Sequence, residues 1–104
     1  MPRTPGTTVD GGGFAPNWIE AVWSKGLVAP GYDPNQVRSD RCGAFMVRNQ
    51  YGLLTDHGWE IDHMVPAARG GTDHFGNLQP LHWRNNRGKG DDYPNWSCTL
   101  RPAA

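Results

Sequence analysis

The stretch from Gly58 to Asp91 gathers three of the four histidines with Asp62, Asn86 and Lys89, side chains that can move a proton or hold a cation. Asp62 and His63 are adjacent, while His82, Asn86 and Lys89 recur at i, i+4 and i+7. On a helix that spacing puts an imidazole, an amide and an ammonium on one stripe, with no apolar residue to explain it by burial. An imidazole titrates at about pH 6.5, so a neutral His63 can take a proton from water. The Asp62 carboxylate and the Asn86 carbonyl are hard oxygen ligands suited to Mg²⁺ or Mn²⁺, ions that keep waters and lean on substrate phosphate. Such a set could hydrolyse a phosphodiester, which needs an activated water in line with the leaving oxygen and a cation to neutralise the growing charge. Lys89 and Arg87, with Arg84 and Arg69 further out, would hold phosphates. Each residue alone has a plainer reading: an Asp-His turn, a turn asparagine at Asn77, a solvated helix face at Asn86 and Lys89. The combination at these spacings is what argues for chemistry.

The backbone must bring these groups together. Trp59–His63 reads as a short strand of alternating character that Pro66 ends. A two-residue period sends Asp62 and His63 to opposite faces, so they share a site only where the strand is ending and twisting away. Residues 67–76 read as a loop that bends sharply at Gly70-Gly71. Leu78–Leu81 reads as a second strand, and His82–Lys89 as a short helix that Gly88 and Gly90 keep from extending. Upstream, Trp18, Ile19, Val22 and Trp23 share one face of an amphipathic helix over Ala15–Lys25, with Gly26 as its C-cap. Leu27–Asn35 reads as a Pro and Gly loop, Ala44–Arg48 as a further strand, and Arg38, Asp40 and Arg41 as a solvated face of mixed charge. Residues 1–13 form a mobile tail, 14–104 a single domain, and Tyr93, Trp96 and Leu100 mark a C-terminal segment folded back over it.

Asp62-His63 closing a strand, Asn77 leading Asn-Leu-Gln, and Asn86-Arg87-Gly88-Lys89 on a helix resemble the HNH motif of the ββα-metal, or His-Me finger, nucleases. The resemblance covers about a third of the chain and is specific in order and spacing. It implies an α+β fold in which an antiparallel hairpin, a long loop and a short helix form a ββα-metal finger, backed here by the N-terminal helix and the additional strand. It also implies that His63 is the general base, Asn77 the residue that steadies it, Asp62 the acidic metal ligand and Asn86 the ligand at the third motif position. Metal-dependent nicking of DNA, expected to be double-stranded, would leave a 5′-phosphate and a 3′-hydroxyl, with one Mg²⁺ or Mn²⁺ per site. Many small HNH domains also carry two Cys-x-x-Cys pairs around a structural zinc. Here His82 and Asn85 stand where one pair would lie, so no structural zinc is expected and something else must hold the finger together. His82 itself has two readings: contact with the metal, its waters or a phosphate, or a cap at the helix start.

At 104 residues, with ten basic and ten acidic side chains, the chain is one small domain of zero net charge. That balance calls for local basic clusters rather than a uniformly basic surface. Cys42 and Cys98 are too few and too far apart for a metal site and are either reduced core residues or one disulfide. His57 and His74 read as surface histidines. No apolar run reaches membrane-spanning length and no secretory segment opens the chain, which predicts an intracellular, cytoplasmic protein. Two other classes stand beside the nuclease: a catalytically inactive HNH-like DNA-binding module, and a zinc-holding interaction domain using His63, His74, His82 and a cysteine. The filled catalytic positions weigh against the first, and spacings that fit no tetrahedral knuckle weigh against the second.

Overall fold

The computed structural model describes residues 3–102; the terminal pairs, part of the expected tail and of the C-terminal end, lie outside it. The fold is α+β. Helix α1 (Pro16–Trp23) leads into a three-stranded antiparallel sheet of β1 (Leu27–Val28), β2 (Val37–Ser39) and β3 (Phe45–Val47). Strand β4 (Trp59–His63) then pairs antiparallel with β5 (Leu78–His82), and helix α2 (Trp83–Lys89) follows directly.

α1 opens with Pro16, whose missing N–H costs nothing in a first turn. Its inner face delivers Val22 and Trp23 to a core shared with Met46, Trp59, Ile61 and Leu78, where the Trp23 and Trp59 rings lie 5.2 Å apart. Trp18 stays outside that core, tilted against Phe75. β1 and β2, expected as loop and solvated face, are strands too short to show a two-residue period.

β4 was expected to alternate between burial and exposure, yet all five of its residues are buried. Trp59 and Ile61 face the core, while α2 covers the opposite face, so Glu60 and Asp62 are buried against a helix instead of meeting water. The loop that follows closes as expected at Gly70, with φ 88°, and Gly71, where a Cβ would lie 1.7 Å from the Val65 carbonyl oxygen. Gly88, by contrast, does not end the helix. It lies inside α2, and a Cβ there would fall 2.1 Å from Thr99 Oγ1, so its role is to let the C-terminal segment lie against the helix.

What holds this unit together is centred on Asp40, which is only 1% exposed and therefore not part of a solvated face. One carboxylate oxygen accepts from the Cys42 and Ala44 amides at 2.9 and 3.0 Å, and the other accepts from the His82 amide and Asn85 Nδ2 at 3.0 and 2.9 Å. Asn85 in turn accepts from the Thr99 and Leu100 amides and donates to the Leu100 carbonyl. Cys42 and Cys98 form a disulfide, with their Cα atoms 5.9 Å apart, which ties the C-terminal segment to the same spot. The reduced alternative is therefore set aside. Such bonds persist in oxidising compartments and are reduced in the cytosol, so the disulfide and the expected cytoplasmic location pull against each other. Among the described residues, no helix is long and apolar enough to cross a membrane.

Candidate active site

The antiparallel register places Asp62 opposite Gln79 and His63 opposite Leu78. The two-residue strand period puts Glu60 and Asp62 on the face toward α2. Along α2, Asn86 Nδ2 donates to Glu60 Oε1 at 2.9 Å and Arg87 Nη2 reaches Glu60 Oε2 at 3.1 Å. Lys89 Nζ donates to the His63 carbonyl at 3.0 Å and to Asp62 Oδ1 at 3.3 Å, and Gln79 Nε2 donates to Asp62 Oδ2 at 2.9 Å. Burial raises the Asp62 pKa above the usual carboxylate range, outweighing the opposing hydrogen bond from Gln79 and the charges of Lys89 and His63.

His63 closes β4 with its ring on the other side, 2% exposed and beside Phe14. The strand ends there, so Asp62 and His63 nonetheless line one cavity of about 350 Å³ with Asn86 and Arg87. Arg3 and Gly6 complete its wall, because the segment expected as a tail runs alongside: Tyr51 donates to the Gly6 carbonyl and the Val9 amide donates to Asp73. The ring partner of His63 is Asp73, with Nε2 2.8 Å from Oδ1.

Asn77, expected to steady His63, makes no hydrogen bond to that ring. Its side chain accepts from the Val65 amide at 2.8 Å and donates to the Val65 and Thr72 carbonyls at 3.1 and 2.9 Å, while its own carbonyl accepts from the Met64 amide. Asn77 thus clamps both ends of the β4–β5 loop. Lys89, expected on phosphate, is 1% exposed and spent on Asp62 and His63, a site no external phosphate reaches in this arrangement. His82 is the helix cap and not a ligand. Its Nδ1 accepts from the Arg84 amide, and its buried Nε2 donates to the Asp56 carbonyl, so both ring nitrogens are committed. Arg69 Nε is bound to the Asp91 carbonyl, and Arg84 lies exposed over Trp83, lining a separate cleft with His57 and Arg101. Arg87 alone of the four expected phosphate contacts borders the cavity.

Glu60, Gln79, Asp73 and Asp40 were not foreseen. Glu60 could have been found from its position two residues before Asp62 on the same strand face, and Gln79 from the register. Asp73 carries no local signal, because the loop alone brings it to His63. The donor set suits a hard cation: with Asn86 Nδ2 held by Glu60, the amide oxygen remains as a donor on the cavity that Asp62 also lines. Among the described residues, no three of His, Cys, Asp and Glu gather as a metal cage, so an ion here would rest on two protein oxygens, water and substrate.

No curated protein and no solved structure matches the chain significantly. A family model for the HNH endonuclease domain matches residues 40–92. The match runs from the Asp40 hub to just beyond the end of α2, taking in every motif residue and more than half of the chain, and on that ground the protein belongs to the HNH endonuclease family.

Proposed function

We propose that this protein is a metal-dependent endonuclease that nicks double-stranded DNA, leaving a 5′-phosphate and a 3′-hydroxyl. Membership of the family supports a DNA-directed, nuclease-like role, and HNH domains generally bind DNA and use a divalent cation. The observation that carries the finer reading is the single cavity onto which His63, Asp62, Asn86 and Arg87 open. In this reading β4, β5 and α2 are the ββα-metal finger. His63 takes a proton from the attacking water, and Arg87, steadied by Glu60, meets the phosphate. Asp62 and the Asn86 oxygen would hold one Mg²⁺ or Mn²⁺, which neutralises charge on the phosphate and on the leaving oxygen. The high pKa of Asp62 is consistent with this, since a desolvated carboxylate gains most from a cation. Asn77 contributes by fixing the loop.

The test is conversion of supercoiled plasmid to the nicked form with and without Mg²⁺. Cleavage should vanish with chelator and return with Mg²⁺ or Mn²⁺, while melting temperature stays almost unchanged. His63→Ala should lower the rate by about 10²- to 10⁴-fold, the range of a general base, with DNA binding kept. A protein that binds DNA without any cation-dependent nicking would be an inactive module. One that melts on chelation and yields a zinc per chain would be a zinc-held interaction domain.

A further inference from the structure

We propose that Asp73 is the positioning residue of the site, holding the His63 ring so that Nε2 carries the proton and Nδ1 is the nitrogen that receives one from water. The inference rests on the reading of His63 as general base. Its observations are independent of the motif residues read from the sequence, which do not include Asp73.

The ring of His63 is 2% exposed, and its single hydrogen bond among the described residues runs from Nε2 to Asp73 Oδ1 at 2.8 Å. An ionised carboxylate can only accept, so this bond requires a hydrogen on Nε2 and leaves the Nδ1 lone pair free when the ring is neutral. No buried polar side-chain atom among the described residues lacks a partner, so an unbonded Nδ1 must reach solvent. His63 lines a cavity with Asp62 and Asn86, the space available to a water that Nδ1 would deprotonate. When Nδ1 takes the proton from water, the ring becomes a cation with the Asp73 carboxylate already against it. The hydroxide left behind is the nucleophile.

Asp73 is itself held from two directions. Its carboxylate accepts from the Val9 amide at 3.1 and 3.4 Å, and the residue before it is fixed by Asn77 Nδ2 on the Thr72 carbonyl. The motif asparagine therefore acts on the histidine at one remove, through the loop that presents Asp73. The N-terminal segment adds a second anchor to the same carboxylate.

The test pairs kinetics with nitrogen-15 NMR of the His63 ring in its neutral form. The wild type should show protonated Nε2 and unprotonated Nδ1. Asp73→Ala should lose that single tautomer and lower kcat for Mg²⁺-dependent nicking by about 10- to 100-fold, the usual effect of removing such a partner, with KM within about threefold of wild type. Asp73→Asn, whose amide oxygen can still accept from Nε2–H, should keep the tautomer and recover part of the rate. Unchanged ring resonances in Asp73→Ala, or wild-type kcat in a folded Asp73→Ala, would overturn the proposal. If Asp73→Ala fails to fold, Asp73→Asn decides: a protonated Nδ1 there, or a rate equal to wild type, overturns it as well. A wild type that never nicks DNA would sink the nuclease reading, yet the NMR arm would still report whether Asp73 sets the tautomer.

Discussion

Lys89 illustrates how a side chain's surroundings, rather than its type, decide its work. A lysine on a nuclease helix invites a phosphate, but here its stem runs under β4 and the ammonium is spent on Asp62 and the His63 carbonyl. Charge on the buried Asp62 is tolerated partly because Lys89 lies against it. Lys89→Met should therefore act on stability first, costing about 3–5 kcal/mol because it strands a buried carboxylate. The check is a pair of measurements, thermal melting and the salt dependence of DNA binding. A phosphate-contacting lysine would flatten the salt slope by about one unit and leave the melt alone, the opposite of what burial predicts. Arg87, with its side chain 40% exposed at the mouth of the cavity, is where the flatter slope belongs.

Between elements, α2 is too short to be stable by itself and is held by what meets its two ends. At the start, His82 caps it and Asp40 binds both the His82 amide and Asn85; along its back, Gly88 admits Thr99. Cysteine pairs around a zinc would clamp many small domains of this family at the same place. One buried carboxylate with four donors does so here. Asp40→Asn is nearly isosteric but turns an NH₂ toward donors, so at least two buried N–H groups lose their acceptor. At about 1–3 kcal/mol for each unsatisfied group, the loss should be roughly 2–6 kcal/mol, read as a lower midpoint in urea with an unchanged slope. A midpoint within error of wild type would mean that α2 is anchored elsewhere.

Over the whole molecule, the Cys42–Cys98 bond closes a loop of 56 residues, and that loop contains every proposed catalytic residue. Chain-entropy reasoning gives a cross-link of that span about 4 kcal/mol, a large part of what a domain this small has in hand. Melting in the presence of a thiol reductant should fall accordingly, and Cys98→Ser should reproduce the fall without reductant. If reduction leaves the melt unmoved, the Asp40 and Asn85 contacts suffice to hold the C-terminal segment.

What the amino-acid sequence determined by itself is the local part of this protein. The Asp-His pair, the paired glycines, the Asn-to-Lys run and the apolar stripe from Trp18 to Trp23 are short-range patterns, and between them they carried the family, the strand–loop–strand–helix path and the amphipathic character of α1. Contacts between distant residues were decided only by the tertiary structure. Nothing near Asp73 announces that ten residues of loop will fold it onto His63, and nothing near Asp40 says that its mixed-charge surroundings will be buried against α2. The partnership of Cys42 with Cys98 was one of two open readings until their Cα atoms were placed. Sequence spacing constrains neighbours on one strand or helix, because backbone geometry repeats there. Where two segments meet depends on how loops close and cores pack, and that information is spread over the whole chain.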